Sequence, residues 1–218
     1  MRSTSMPRAG VAEENWLAGR RLRLAALRKD DAATMSAWTE DIGYLRLEDT
    51  NTAVPLSVEQ AEEELDSLHN GFDSLAFGIR TLDDDRLIGS LGFFDIEWAN
   101  RVAWLGMGIG DRAYWGQGYG AEALSLALRY GFGEMNLHRV SLSVIADNAR
   151  AVALYEKAGF QREGVFREYG ERDGRRYDLI LYGLLRREWV EEPAGRAIER
   201  PEGSRTGRRP RSSDHRVA

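Results

Sequence analysis

The chain has 218 residues, 43% of them hydrophobic, and a formal net charge of −5. This length and apolar content predict one globular domain with a packed core, and the negative balance gives no argument for nucleic-acid binding, which generally needs a basic surface. The absence of cysteine excludes disulfides, thiolate metal sites and a cysteine nucleophile.

Both ends of the chain differ in composition from its middle. No run of about twenty apolar residues occurs, and the first residues lack the apolar core of a secretory signal, so we expect a cytoplasmic protein without a membrane segment. We expect a flexible extension over 1–18, one domain over 19–190 and a disordered tail over 191–218. The tail carries seven arginines against five acidic residues. A solvated tail is the simplest interpretation, and an RNA- or partner-binding arm is the alternative.

The first elements alternate between strand and helix patterns. RRLRLAAL, residues 20–27, alternates apolar and charged residues as a half-buried strand does, and the aspartates of RKDD can cap a helix over AATMSAWTE. After a loop with Pro55, Ser57 can cap a second helix, VEQAEEELDSLHN. Three apolar runs follow, SLAFGIRT, RLIGSLGFFDI and RVAWLGMGIG, and their short polar connections predict an antiparallel meander.

The second half of the chain adds two helices and three strands. A glycine-rich stretch opens a helix that extends to about Gly133, and HRVSLSVIA then predicts a strand. A helix over NARAVALYEKAG and two strands on either side of ERDGRRYD complete the pattern. The predicted order is βααβββαβαββ, and the strands near the C-terminus permit a homodimer.

Three glycines alternate in YWGQGYGAEAL, directly before this helix. Glycine costs roughly 0.5–1 kcal/mol relative to alanine in regular structure, so an exposed backbone must have a use here. A phosphate at the helix N-terminus would be bound by backbone N–H groups that side chains would otherwise block. A plain turn is the alternative. A dinucleotide site does not fit, since a meander precedes the glycines and no acidic ribose contact follows about 20 residues on.

A second motif lies in ADNARAVALYEKAGF. Asp147 or Asn148 can cap a helix that ends at Gly159. Asn148 and Tyr155 are seven residues apart, nearly two turns, so the amide and the phenol point the same way. Tyr155 is either a functional residue or an ordinary half-buried helix tyrosine.

Together these motifs resemble the GCN5-related N-acetyltransferase (GNAT) superfamily, especially its ribosomal-protein-alanine and spermidine acetyltransferase-like branch. Its acetyl-CoA loop, Q/R-x-x-G-x-G/A, is matched from Trp115 to Gly120 except at its first position, where Trp115 stands in place of Gln or Arg. The pattern N-x-x-A-x-x-L-Y-x-x-x-G-F is complete from Asn148 to Phe160. The resemblance spans roughly residues 20–189.

The resemblance implies a mixed α+β fold, a mostly antiparallel twisted sheet of about seven strands and about four helices, with a splay between strands 4 and 5. It implies acetyl-CoA as cosubstrate and no metal. The residues expected to bind acetyl-CoA are Met107, Gly108, Ile109, Trp115, Gly116, Gln117, Gly118, Tyr119, Gly120, Ala121, Asn148 and Tyr155. Phosphate would lie on the backbone from Trp115 to Ala121, and the sulfur would lie near Tyr155.

The expected reaction is direct acetyl transfer to a primary amine through a ternary complex, because no cysteine can form an acyl-enzyme. Tyr155, with a reference pKa near 10, can donate a proton to the departing thiolate. Asp95 and Glu97 in FFDIEW are the candidate bases, and Glu48 and Asp49 are further carboxylates in a loop expected to border the acceptor.

The acceptor class stays open in the sequence. Acidic residues favour a cation such as a polyamine, a protein N-terminus or an aminoglycoside, either a small molecule or a peptide. We expect neither nucleic acid nor membrane as partner. A non-catalytic CoA-binding or regulatory module of the same fold is the competing function.

Overall fold

The computed structural model describes residues 15–70 and 72–190. The predicted tail over 191–218 and most of the predicted N-terminal extension lie outside these residues. Within them, seven strands form one mixed sheet in the order β1-β2-β3-β4-β5-β7-β6. The strands are β1 (Leu22–Ala25), β2 (Leu75–Thr81), β3 (Leu87–Glu97), β4 (Val102–Gly108), β5 (Arg139–Ile145), β6 (Gln161–Arg172) and β7 (Arg175–Leu185).

Five helices accompany the sheet in the described part of the chain. They are α1 (Ala32–Thr39), α2 (Ile42–Glu48), α3 (Val58–Asn70), α4 (Tyr119–Gly133) and α5 (Ala149–Lys157), with 3-10 turns at Lys29–Asp31 and Arg112–Tyr114. None of the helices in these residues is both long and apolar enough to span a bilayer.

The sheet is antiparallel except between β4 and β5. A parallel pair needs a crossover, and α4 supplies it. The apolar side of α4, including Leu124, Leu128 and Phe132, is buried against the sheet in the main core. The terminal strand β7 pairs with β5 on one side and β6 on the other, so β1 and β6 are the edges of the sheet. The predicted mixed fold with a seven-stranded sheet is confirmed.

Of the caps predicted for the first two helices, the one at Ser57 is present and the one from the aspartates before α1 is not. Ser57 and Gln60 form a capping box at the start of α3, as the Ser57 hydroxyl accepts from the Gln60 N–H at 3.2 Å and the Gln60 side chain accepts from the Ser57 N–H at 2.9 Å. Asp31 precedes α1 but caps no amide of it. Its carboxylate instead accepts from the Arg28 N–H at 2.7 Å and pairs with the buried guanidinium of Arg80 at 2.5 Å.

One helix was not predicted from the sequence. The segment containing Glu48 and Asp49 was expected to be a loop, whereas α2 occupies Ile42–Glu48. The Asp41 carboxylate accepts from the Tyr44 N–H at 3.1 Å and so caps this helix. The helix is short and contains Gly43, a poor helix former, which hides it from a periodicity argument.

Candidate active site

A slot opens where β4 and β5 separate. The two strands pair only at Val102–Arg139, Ala103–Val140 and Trp104–Ser141. Beyond these pairs β4 continues to Gly108 and β5 to Ile145 without mutual pairing. Since backbone N–H and C=O groups need partners, the separated ends offer hydrogen-bonding groups to a ligand. The splay expected between strands 4 and 5 is therefore present.

Two cavities meet at this slot. One, here the glycine-loop cavity, has a volume of 440 Å³ and is bordered by the glycine-rich loop, the end of β4, α2 and α5. The other, here the sheet cavity, has a volume of 350 Å³ and is bordered by β3, β4, β5 and the C-terminal end of α2. The residues that line both cavities are Leu47, Glu48, Met107, Asn148, Ala151 and Tyr155.

The glycines of the loop serve different purposes. Gly116 and Gly118 have φ angles of +69° and +86°, a backbone region that favours glycine, and Gly118 is the N-cap of α4. Gly120 has an ordinary helical conformation and lines the glycine-loop cavity, where the nearest atom to an added Cβ would be Leu154 Cδ2 at 3.8 Å. The turn is thus made by Gly116 and Gly118, and Gly120 leaves room for a ligand.

Contacts from the two residues that precede β1 hold the loop in place. Arg21 donates from one guanidinium nitrogen to the Gln117 carbonyl at 2.9 Å and from Nε to the Glu122 carboxylate at 2.9 Å. Glu122 also accepts from the backbone N–H groups of Arg20 and Arg21 at 2.6 and 2.8 Å. Burial acts to raise the pKa of Glu122, but these hydrogen bonds outweigh it and lower the pKa. The first turn of α4 is therefore anchored before any ligand arrives.

Trp115 lies beneath two guanidinium groups. The guanidinium carbons (Cζ) of Arg112 and Arg150 lie 4.5 and 4.0 Å, respectively, from the Trp115 ring centroid. Arg112 is engaged by Asp41, with one hydrogen bond of 2.8 Å, and its hydrogen bonds lower the pKa of Asp41 to about 2. Arg150, in the first turn of α5, lines the glycine-loop cavity and forms no ion pair within the described residues. It places a cation where the loop motif lacks one, a role that no sequence motif indicated.

Tyr155 stands at the junction of the two cavities. It is 7% exposed, packs edge-on against Phe160, and has no hydrogen-bond partner for its hydroxyl within residues 15–70 and 72–190. Burial, and secondarily the charge of Glu48, raise the pKa of Tyr155 to about 12. The phenol therefore keeps its proton at neutral pH.

Asn148 links α5 to α2. Its side-chain oxygen accepts from the Ala151 N–H at 3.2 Å as the cap of α5, and its amide nitrogen donates to the Leu47 carbonyl at 3.3 Å. Because Leu47 precedes Glu48, this bond fixes the end of α2 beside the slot. Asn148 also lines both cavities, so its expected contact with acetyl-CoA stays a prediction.

Glu48 is the carboxylate that the fold brings to the slot. Its carboxyl oxygen and the Tyr44 hydroxyl would lie 2.4 and 2.5 Å from a Cβ atom at position 108, so a side chain there would displace both groups. The Tyr44 hydroxyl donates to this carboxylate. Glu48 is exposed as a whole residue, yet its carboxyl group lies close to Gly108 and Tyr44, and desolvation there raises the pKa of Glu48 despite the bond from Tyr44. The pKa of Tyr44 is raised by its own burial and by Glu48.

Asp95 and Glu97 lie away from this slot, contrary to the expectation from the sequence. Neither lines either cavity. Glu97 pairs with Val102 at the start of β4, and six residues at about 3.3 Å each put it roughly 20 Å from Gly108. Asp95 lies at the irregular step between these pairs, with φ of +48°. Because β3 and β4 are antiparallel, the C-terminal end of β3 lies beside the N-terminal end of β4, whereas the slot opens at the C-terminal end of β4.

The cavities contain no cluster suited to a metal ion. Among the described residues, no group of three or more His, Cys, Asp or Glu side chains could hold one.

Most of the other residues that the sequence predicts to bind acetyl-CoA line the glycine-loop cavity. These are Met107, Gly108, Ile109, Trp115, Gly116, Gly118, Gly120 and Ala121. Gln117 and Tyr119 do not line it; Gln117 bonds back to the Ala113 carbonyl, and Tyr119 packs against Tyr114 and Arg21.

The chain was compared with known proteins. Residues 21–161 match the family model of the acetyltransferase (GNAT) domain. An uncharacterized N-acetyltransferase, p20, of Bacillus licheniformis is 35% identical over 114 residues, 52% of this chain and 64% of that protein. The ribosomal protein uS5-alanine N-acetyltransferase of Escherichia coli is 28% identical over 127 residues, 58% of this chain and 65% of that protein. The chain thus spans just under two thirds of the length of these two relatives.

A solved structure resembles most of the described fold. The spermidine N-acetyltransferase of Vibrio cholerae, solved with CoA and spermine, is 25% identical, with a TM-score of 0.71. The superposition covers 77% of this chain and 97% of that one.

Proposed function

Since this chain belongs to the GNAT acetyltransferase family, we propose that it transfers an acetyl group from acetyl-CoA directly to a primary amine. One observation carries the proposal: two cavities enter the β4–β5 slot and share Tyr155 and Glu48. A donor and an acceptor can therefore meet at these two side chains. No covalent enzyme intermediate is needed.

The glycine-loop cavity fits acetyl-CoA. The first-turn N–H groups of α4 have no acceptors within the helix and suit a phosphate, and Gly120 leaves their approach open. Arg150 adds a positive charge at the same cavity. The backbone of Met107 and Gly108, which does not pair with β5, suits the amides of a pantetheine arm. At Ile109 only the N–H is offered, because its carbonyl accepts from the Trp115 indole. When bound, acetyl-CoA supplies the acetyl group as a thioester.

Tyr155 is the proposed proton donor. Its raised pKa keeps the hydroxyl protonated at neutral pH, and its position on both cavities lets it hold that proton toward the departing sulfur. A thiolate is stabilised by a positioned donor of this kind. Backbone N–H groups at the end of β4 are suited to the oxygen that gains negative charge.

Glu48 replaces Asp95 and Glu97 as the proposed proton acceptor. An amine attacks only in its neutral form, so an ammonium arriving in the sheet cavity must lose a proton. A carboxylate with a raised pKa is a stronger base than one in open solvent. Its negative charge also favours a cationic acceptor. The named activities of the relatives, on a ribosomal-protein alanine and on spermidine, are both amine acetylations.

The test is acetyl-CoA-dependent thiol release by the purified full chain, followed with a chromogenic disulfide across a panel of monoamines, polyamines, aminoglycosides and peptides. We expect release that needs an amine, with the acetylated product identified by mass spectrometry. Tight acetyl-CoA binding by calorimetry without transfer to any amine would instead support a non-catalytic module.

A further inference from the structure

We propose that Arg172, in the hairpin of β6 and β7, is a positioning residue for the transfer reaction, because it caps the C-terminal end of α2 and so holds Glu48 at the slot. This inference rests on the proposed function, in which Glu48 takes the proton from the amine. Arg172 lines neither the glycine-loop cavity nor the sheet cavity. It therefore acts on the reaction through the residues that it contacts.

Helix α2 is too short to fix the position of its own end. It has seven residues, and isolated helices below about 12–15 residues are marginal in water. The last carbonyl groups of a helix also have no donors within it. In α2 the carbonyls of Arg46 and Leu47 accept from side chains of other elements. The position of Glu48, the residue that ends the helix, thus depends on long-range contacts.

The guanidinium of Arg172 supplies two of these contacts. Its terminal nitrogens donate to the carbonyls of Arg46 and Asp49, which lie on either side of the proposed base in the chain. A cation is favoured at a helix C-terminus, and a hydrogen bond from a charged donor is stronger than one from a neutral amide. The Asn148 amide, in contrast, is neutral and reaches the Leu47 carbonyl at 3.3 Å. Arg172 therefore provides the stronger of the two links to the end of α2.

The hairpin orients the Arg172 side chain. Its Cζ lies 5.1 Å from the ring centroid of Tyr177, which is 7% exposed. Tyr177 pairs with Gly170 across the hairpin, and a Cβ atom at position 170 would overlap the Tyr177 ring. A cation over an aromatic ring is stabilised by the ring electrons. The half-buried guanidinium is therefore directed both by the ring and by the helix end.

Two other arginine contacts of the hairpin provide a comparison. Arg46 pairs with Asp173 at 2.7 Å, but the Asp173 side chain is 74% exposed, and ion pairs of this kind contribute little. Arg176 pairs with Glu171 at 2.9 Å and donates to the Glu168 carbonyl at 3.3 Å. Both partners of Arg176 belong to the hairpin itself. Arg176 is therefore a matched control, an arginine of the same hairpin whose contacts do not reach α2.

Loss of this cap should affect the chemical step more than the binding of acetyl-CoA. A displacement of about 1 Å at a reacting group can lower the rate roughly 100-fold. The glycine-rich loop, in contrast, is held by Arg21 and Glu122, far from the hairpin in the chain. We therefore expect a change in kcat with little change in the Kd of acetyl-CoA.

The test compares Arg172→Met with Arg176→Met in the full chain, at saturating acetyl-CoA, with the amine that the panel above identifies as the best acceptor. Arg172→Met should lower kcat about tenfold and change the Kd of acetyl-CoA less than about twofold. Arg176→Met should change kcat less than about twofold. Arg172→Lys keeps the charge and can still donate to a carbonyl, so its loss should be smaller, about threefold. Equal losses in Arg172→Met and Arg176→Met, or an unaltered kcat in folded Arg172→Met, would overturn the proposal.

A double-mutant cycle with Glu48→Gln separates positioning from general damage. Once the base is absent, Arg172→Met should lower kcat by no more than about a further twofold. Independent, multiplicative losses would show that Arg172 does not act through Glu48 and would overturn the proposal. An unaltered kcat in Glu48→Gln alone would instead refute the base in the proposed function, and transfer to no amine by the wild type would refute that function itself. Circular dichroism and acetyl-CoA affinity establish that each variant is folded.

Discussion

Replacing Arg150 with glutamine should weaken acetyl-CoA binding, because Arg150 is the cation that the glycine-loop cavity offers in place of the first residue of the loop motif. Its guanidinium carbon lies 4.0 Å from the Trp115 ring centroid, and it forms no ion pair within the described residues. A hydrogen bond to a charged group contributes about 1.5–3 kcal/mol. Because Arg150 is exposed, we expect the lower end of this range, roughly 1.5 kcal/mol or about tenfold in Kd.

The matched control is Arg112→Gln, which removes the same charge from the same indole ring. Arg112 is already engaged by Asp41 and does not line the cavity, so its loss should change Kd by less than about twofold. Titration calorimetry at fixed salt would compare both variants with the wild type. Equal losses in the two variants would mean that only general electrostatic attraction is involved, and an unchanged Kd for Arg150→Gln would remove that residue from the site.

Dephospho-CoA identifies the phosphate that Arg150 contacts. If the contact is with the 3′-phosphate, Arg150→Gln should weaken binding of CoA but not of dephospho-CoA. If the contact is with the pyrophosphate, the variant should weaken binding of both ligands equally. As in a double-mutant cycle, the wild type and Arg150→Gln are each compared with both ligands, and the comparison requires only that the variant stays folded.

Four other predictions address chemistry, ligand space and stability. Tyr155→Phe should lower kcat at least roughly tenfold without changing acetyl-CoA affinity, since only the proton donor is lost; unaltered kcat would exclude this role. Glu48→Gln should lower kcat/KM about 100-fold. Wild-type activity should rise with pH through the raised Glu48 pKa, as only the ionised carboxylate accepts a proton, and this limb of the pH profile should be absent from the variant. Gly120→Val should weaken acetyl-CoA binding in calorimetry more than Gly120→Ala, whose Cβ has 3.8 Å of room; equal affinities would argue against close approach of a ligand there. Asp31→Ala should lower the free energy of unfolding in urea by about 3–5 kcal/mol, because the buried Arg80 would lose its carboxylate and keep only the Asp85 carbonyl as acceptor; a smaller loss would mean that the remaining contacts compensate for the charge.

Local patterns predicted most of the elements. The cap at Ser57, the meander of three strands and the helix from the glycine loop to Gly133 all follow from residue type and spacing within a few neighbours. The same holds for the α5 motif, in which Asn148 does cap the helix. Capping and periodicity are short-range effects, so they can be inferred without knowing what packs against them.

The proposed base, Glu48, and the proposed phosphate ligand, Arg150, could not be inferred in this way. Helix α2 has too few turns, and a glycine within it, to give a clear pattern, yet it carries Glu48. Asp95 and Glu97 looked suitable because they end a strand, but the end of β3 lies roughly 20 Å from the slot. Arg150 lies within the motif from Asn148 to Phe160, but at a position where the motif accepts any residue type.

Residue order was thus enough for the element types, for the backbone turn at Gly116 and Gly118, and for the family. The partners at the reaction site depended on long-range packing. Antiparallel register turned Asp95 and Glu97 away, and Gly108, by lacking a side chain, let the Glu48 carboxylate lie over β4 beside Tyr155. These residues are separated by tens of positions along the chain, and the sheet and helix contacts that unite them leave no periodic signal in any one segment.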